Sequence, residues 1–338
     1  MRIGRQAGEL ILSELHKFIF EGLPVRGMLV RLTDAWQDIL ARRAANSETG
    51  AYPAPVRQLL GEIAAAGVLM QGNIKFNGAL VLQIFGDGPV KVAVAEVQPD
   101  FALRVTATLT SAVDENAGLP DMVNPGGQGR CAITLDPKDR LPGQQPYQGV
   151  VSLVDEQGQS LNQLNEVLEQ YMRQSEQLDT VLVLAADDKV AAGLLIQRLP
   201  VEGEGNLAGT AQPSAQAQDI EQAFEHIAIL SRSLKREELL ELDPMTILHR
   251  LFWEEPVRLL ESFKDETAPR FDCSCSRERV SRMIQSLGQD EAQSILDEQG
   301  KIDVGCDFCG AHYVFDAVDV AQTFNPAATS GDSSASLH

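Results

Sequence analysis

Apolar residues return every three or four positions between Ala7 and Phe20, and this spacing predicts a helix over 7–20. Thr33-Asp34 is a cap signal for a second helix running to about Ala45. Pro53 to Met70 predicts a third, with Val56, Leu59, Leu60 and Ile63 on one face. The period then shortens. Ile74-Lys75-Phe76, Leu80 to Phe85 and Val90 to Val97 predict a β-meander turning at Asn77-Gly78 and at Gly86-Asp87-Gly88-Pro89. Arg104 to Leu109, Cys131 to Leu135 and Tyr147 to Val154 read as further strands, with turn chemistry at Asn124-Pro125-Gly126-Gly127-Gln128-Gly129. Leu161, Leu164, Leu168 and Tyr171 mark another helix, and Val181 to Ala186 and Ala191 to Leu199 two more strands. Helices and antiparallel strands arriving in blocks predict an α+β fold: an N-terminal mixed domain over 1–200, a helical linker region, and a small C-terminal module.

After Pro200 the composition changes. Val201 to Gln218, rich in Gly, Ala, Gln, Glu and Ser, reads as a linker. Ile220, Phe224, Ile227, Leu230 and Leu234 form a charged helical pattern in 219–242, and Asp243-Pro244 pairs a capping carboxylate with proline at the first helical position. The second of these helices carries Ile247, Leu248, Leu251 and Phe252, with Glu254, Glu255, Glu261, Asp265 and Glu266 at or beyond its end. A segment this acidic and only modestly apolar sits near the margin of burying enough surface, so 201–265 is expected to be a linker with metastable helices. The cysteine module occupies 266–318, and 319–338 reads as a flexible tail.

Four of the five cysteines fall in that module, as a Cys-x-Cys pair, Cys273 and Cys275, and a Cys-x-x-Cys pair, Cys306 and Cys309. Four thiolates make a closed tetrahedral shell for one Zn²⁺, with no position open to substrate. Gly305-Cys306-Asp307-Phe308-Cys309-Gly310 has the form of a zinc knuckle, in which glycine lets backbone N–H groups face sulfur. The same sulfurs can form short-range disulfides, so the site reads as a staple, a switch, or both. Phe271, Val280, Met283, Ile284, Leu287, Ile295, Leu296, Ile302, Tyr313 and Phe315 are the available core, too small to hold about 50 residues without a staple. His312 is a weaker alternative ligand, and Cys131, in a strand-like run, reads as a buried structural thiol.

The chain of 338 residues is 44% hydrophobic and carries 28 basic and 48 acidic residues, a net charge of −20. Such a field repels phosphate backbones and anionic lipid, which argues against nucleic acid or membrane as partners. There is no signal-peptide pattern, and clustered cysteines at metal spacing point to a reducing, cytoplasmic setting. No phosphate-binding loop and no nucleophile elbow is present, so no catalytic residue is assigned and the chain is not read as an enzyme.

Several stretches are similar to the heat shock protein 33 family of redox-regulated chaperones. They are Val25-Arg26-Gly27, Phe85-Gly86-Asp87-Gly88-Pro89, Tyr147-Gln148-Gly149-Val150-Val151, Tyr171-Met172-Arg173-Gln174-Ser175-Glu176-Gln177 and Leu248-His249-Arg250-Leu251-Phe252-Trp253-Glu254-Glu255. The most specific are Cys273-Ser274-Cys275-Ser276-Arg277-Glu278-Arg279 and Cys306-Asp307-Phe308-Cys309-Gly310-Ala311-His312-Tyr313. Asp179 departs from the pattern, standing where the family often has proline. The resemblance implies an ATP-independent holdase, inactive when reduced and zinc-bound, with one Zn²⁺ per chain on Cys273, Cys275, Cys306 and Cys309. It implies that oxidant forms disulfides Cys273–Cys275 and Cys306–Cys309, that the metal is lost, and that the linker unfolds and exposes a surface for unfolding client proteins. It also implies a homodimer in the oxidised state. Two other classes stay open on the residues themselves: a zinc-ribbon module contacting nucleic acid or a protein partner, and a thiol–disulfide oxidoreductase using Cys306 and Cys309.

Overall fold

A computed structural model describes residues 12–46, 49–139, 143–200 and 215–325. It divides into two compact units, Met1–Asp272 and Cys273–His338.

The first unit is organised around a helix that is apolar on every side. Helix α1 (Asp34–Ala45) is followed by α2 (Ala54–Asn73), a 20-residue helix whose Val56, Leu60, Ile63, Val68 and Leu69 are all fully buried. A helix hydrophobic all round must be covered all round, and two sheets do this. The first sheet has the order β10-β1-β2-β9-β8, entirely antiparallel. It comprises β1 (Glu14–Phe20), β2 (Val25–Leu32), β8 (Thr180–Ala186), β9 (Ala191–Arg198) and β10 (Val257–Phe263). The second has the order β11-β5-β4-β3-β6-β7. Its strands are β3 (Gly78–Phe85), β4 (Val90–Val97), β5 (Ala102–Leu109), β6 (Arg130–Pro137), β7 (Tyr147–Ser152) and β11 (Arg270–Phe271), the last parallel to β5. One apolar core joins α2 to both sheets, together with the short helix α3 (Leu119–Val123) and α4 (Leu164–Tyr171). The α+β architecture is the one expected. Close packing of α2 on the first sheet requires Gly61, because a Cβ there would lie 2.4 Å from Ala186 Cβ.

Glu62 lies half-buried on α2, accepting a hydrogen bond from Gln58 at 3.0 Å. Burial pushes its carboxyl up to about 7, against the opposing effects of Gln58 and of the Arg236 charge. An acid whose folded pKa lies above its ordinary value of 4.5 keeps its proton longer in the folded state, so this group's contribution to stability falls as pH rises from 4.5 through 7. Glu62→Gln is therefore expected to stabilise the protein by about 1–2 kcal/mol at pH 8, discounted for partial exposure, and by almost nothing at pH 5. Urea titrations at the two pH values check this.

A second apolar core lies on the opposite face of the first sheet. There α5 (Ala215–Arg232), α6 (Arg236–Glu241) and α7 (Pro244–Phe252) cover Phe18, Phe20, Leu29, Leu194 and Ile196. Phe252 packs against Phe18 and Phe20, with ring centroids 6.3 and 5.0 Å away, and Gly27 lies under the Phe18 ring, where a Cβ would be 2.1 Å from it. Arg31 of β2, 9% exposed, donates to the carbonyls of Leu239, Leu240 and Leu242 at 3.2, 2.6 and 3.1 Å, closing the open end of α6. Asp243 caps α7 by accepting from the Thr246 N–H at 3.0 Å, as its sequence setting predicts.

Several expectations need correction. Residues 14–20 form β1, not a helix; 7–11 lie outside the described residues. The reason is that both faces of β1 are covered: Leu15 enters one core while Phe18 and Phe20 enter the other, and a bulge shifts the register between Lys17 and Phe18. A strand buried on both faces loses strict alternation and imitates helical spacing. Ile74 to Phe76 is not a strand, since α2 runs on to Asn73. Of the expected linker stretch, 201–214 lies outside the described residues and Ala215 to Gln218 belongs to α5. The acidic stretch after α7 contains β10, which pairs with β1 at an edge of the sheet. Residues 319–324, expected in the tail, complete the last helix of the second unit, and 326–338 lie outside the described residues.

That second unit comprises α8 (Arg277–Leu287), α9 (Gln289–Gln299), a hairpin of β12 (Ile302–Gly305) and β13 (His312–Phe315), and α10 (Ala317–Phe324). Among the described residues its buried apolar core is Val280, Ile284, Ala292, Leu296, Ile302, Phe315 and Val320. Met283 and Leu287, expected inside, are 44% and 49% exposed. The α8 face turned inward carries Val280 and Ile284 instead.

Candidate metal centre

The sulfur site is assembled from two local structures. Cys273 and Cys275 lie on the extended stretch before α8, whose first turn is capped by Ser276 accepting from the Arg279 N–H at 3.2 Å. The Arg279 guanidinium turns back and donates to the Ser274 carbonyl at 2.9 Å, and also to the Ser274 hydroxyl, fixing the residue between the two cysteines. Cys306 and Cys309 lie in the loop of the β12–β13 hairpin. The Cys306 N–H donates to the Ala311 carbonyl at 2.9 Å and the Gly310 N–H to the Cys306 carbonyl at 2.8 Å. Gly310 takes φ of +70°, the left-handed conformation that a side chain would resist.

These constraints bring the four Sγ atoms to within 4.8 Å of one another. Cys273 and Cys306 sulfurs are 3.7 Å apart, and Cys275 and Cys309 sulfurs 3.3 Å. A tetrahedral ion with metal–sulfur bonds of about 2.3 Å needs sulfur–sulfur edges of about 3.8 Å. The donor set, its number and its spacing therefore fit one tetrahedral metal ion, and none of the four cysteines forms a disulfide in this structure.

The four sulfurs are not equivalent. Burial raises the Cys275 thiol, but the Tyr313 phenol, donating to its sulfur at 3.1 Å, and the neighbouring cysteines bring it below its ordinary value. Burial pushes the Cys309 thiol up, partly opposed by the backbone N–H of Ala311. Tyr313 is pushed up to about 12, chiefly by its hydrogen bond to Cys275.

Comparison with known proteins covers the same residues. The profile of a family described as Hsp33 protein matches residues 13–316. The chain belongs to the Hsp33 family. A 33 kDa chaperonin of Chromobacterium violaceum is 46% identical over 313 residues, covering 93% of this chain and 94% of that protein. One from Neisseria gonorrhoeae is 42% identical over 310 residues, covering 91% and 90%. Among solved structures, the 33 kDa chaperonin (heat shock protein 33 homolog) of Thermotoga maritima matches with a TM-score of 0.67 and 21% identity, over 92% of this chain and 98% of that one. At that identity the likeness speaks to fold. The Hsp33 match includes all four cysteines and the hairpin that presents two of them.

Other residues singled out from the sequence fall elsewhere. His312 turns its Nδ1 to Asp303 Oδ1 at 3.0 Å and is not among the converging ligands. Cys131 is fully buried in β6, and burial pushes its thiol up to about 12, which makes it a poor nucleophile at neutral pH. Asp179, the departure from the Hsp33 pattern, forms an ion pair with Arg198 across the β8–β9 edge. Among the described residues, no helix is long and apolar enough to cross a membrane. From the sequence Tyr313 reads as a core residue and Arg31 as a residue without a role. The hairpin register that sets Tyr313 opposite Val304, and the docking of α6 over β2, are what give these two side chains their partners.

Proposed function

We propose that this chain is a redox-regulated, ATP-independent holdase chaperone whose zinc-bound, reduced form is the restrained state. The observation that carries the reading is the convergence of four cysteine sulfurs, with no other ligand among the described residues, in a unit whose described residues give a buried apolar core of seven. Cys273, Cys275, Cys306 and Cys309 hold one Zn²⁺ per chain. The bound ion ties the segment before α8 to the β12–β13 loop and keeps all four sulfurs as thiolates.

Hydrogen peroxide or a related two-electron oxidant converts the paired thiolates to disulfides Cys273–Cys275 and Cys306–Cys309. Each pair of thiolates gives up two electrons to one peroxide, which departs as two hydroxide ions while the S–S bond forms. Loss of the four thiolates abolishes the metal site and with it most of what holds the small core folded. The chain runs directly from β10 and β11 into Cys273, so unfolding of the module loosens the anchorage of the segment that carries α5–α7. Release of those helices uncovers Phe18, Phe20, Leu29, Leu194 and Ile196, an apolar sheet face suited to partly unfolded client proteins. The metastability of the 201–265 segment belongs to this proposal, as do a homodimer in the oxidised state, a cytoplasmic setting, no enzymatic activity, and no nucleic-acid or membrane partner.

The test combines three measurements on full-length protein: zinc release on peroxide treatment under mild heating, disulfide mapping by mass spectrometry, and light scattering of a thermally unfolding client. Stoichiometric zinc loss with suppressed aggregation is the expected result. Zinc loss with aggregation unchanged sinks the switch.

A further inference from the structure

One contact at the sulfur centre comes from a side chain that is not a ligand. Tyr313 sits on β13, opposite Val304 of β12, with its ring packed at the margin of the small core. Its hydroxyl points back to the cysteines and donates to Cys275 Sγ at 3.1 Å. Cys275 is also the sulfur nearest the start of α8, two residues before its first helical position. Cys309, in the hairpin loop, is served by main chain, through the Ala311 N–H. A backbone donor survives substitution by any residue but proline; a phenol does not. The phenol is therefore a removable hydrogen bond on one identified sulfur.

We propose that Tyr313 is a positioning residue of the metal centre, whose phenol holds Cys275 Sγ in place and restrains both its release from the metal and its attack on oxidant. This rests on the proposed zinc binding by Cys273, Cys275, Cys306 and Cys309. A hydrogen bond to a coordinated thiolate withdraws electron density from the sulfur and fixes its direction, and outer-shell partners of this kind typically change metal affinity by about 10–100-fold. The redox step is attack of the Cys275 sulfur on one peroxide oxygen, giving a sulfenic acid and expelling hydroxide. A neighbouring thiolate then displaces the second hydroxide to close the disulfide. Without the phenol the sulfur lone pair is less engaged and the first attack is faster.

The experiment compares full-length wild type with Tyr313→Phe, which keeps the ring, and with Val304→Ala, which thins the packing beside the ring and keeps the phenol. Reduced protein is loaded with Co²⁺ for absorption spectra and with Zn²⁺ for chelator competition, then treated with peroxide while modification of Cys275 is followed by mass spectrometry. Tyr313→Phe is expected to move the sulfur-to-cobalt charge-transfer band to longer wavelength. It should also weaken zinc binding about tenfold and speed Cys275 oxidation by about three- to tenfold. Val304→Ala should leave the band in place. Band, affinity and rate unchanged within about twofold in Tyr313→Phe overturn the inference, and so does the same band shift in Val304→Ala. Client protection by oxidised wild type is scored separately: its absence would end the holdase reading while leaving the cobalt and zinc results to decide the role of Tyr313.

Discussion

Replacement of Cys309 by serine is expected to unfold residues 273–325 while α2 and the two sheets around it stay folded. The two compact units have separate cores: among the described residues seven buried apolar side chains serve the second, whereas the first has two extensive clusters on either side of its five-stranded sheet. A core of seven side chains, one of them Ala292, is too small to hold some fifty residues without a staple. A four-thiolate zinc site supplies about 10–16 kcal/mol of apparent binding free energy at neutral pH, and removing one ligand opens the shell. The measurement is hydrogen exchange by mass spectrometry alongside zinc stoichiometry. Protection should collapse in α8, α9 and the β12–β13 hairpin and persist in α2 and its two sheets. Retained protection in the hairpin at sub-stoichiometric zinc would mean that the metal is not the staple. Added chelator should give the same pattern in the unsubstituted protein.

The second large effect is expected at Arg31. Its guanidinium, 9% exposed, serves three main-chain carbonyls around the end of α6, all within 3.2 Å. Burial lowers its pKa, and the charges of Glu14, Asp187 and Asp243 oppose that. Arg31→Met keeps most of the volume and removes every donor, leaving buried carbonyls without partners at about 1–3 kcal/mol each. The combined cost is about 3–5 kcal/mol, in the range seen when one member of a buried polar arrangement is removed. The loss falls on the docking of α5–α7, not on α2, so exchange should rise over 215–252 first. If the proposed function holds, the variant should suppress client aggregation while still reduced and zinc-loaded. Arg250→Ala is the contrast: its partner Glu238 lies 2.6 Å away on the surface side of the same helices, where an ion pair contributes about 0–1 kcal/mol. Tight docking of α5–α7 in Arg31→Met would show that the guanidinium is not what secures α6.

Periodicity located α1, α2, the β3–β4 meander and the β8–β9 pair, because each has a local signal: a cap, a turn dipeptide or a sustained apolar face. It failed at β1 and β10 for one shared reason. These strands pair at 237 to 248 positions of sequence separation, as Phe20 with Val257 and Leu15 with Phe263 show at the two ends of the ladder. Nothing local announces a partner that distant. Strand β10 is exposed along most of its length and carries Glu261, so it has no apolar stripe to reveal it, while β1 is apolar on both faces and reads as helix.

The cysteine spacing by itself fixed which four side chains could form the centre, because thiolates are scarce and only a fold that brings both pairs together gives a complete sulfur shell. The sequence likewise set the thinness of the core around them and the strong negative charge. Tertiary structure alone decided the rest: that the four sulfurs lie within 4.8 Å of one another, that Cys275 receives a phenol, that His312 is held by Asp303 instead, and that Arg31 closes α6. Ligand identity is a property of residue type and is written along the chain. The partner of each donor depends on hairpin register and helix docking, which are settled by packing between segments remote in sequence.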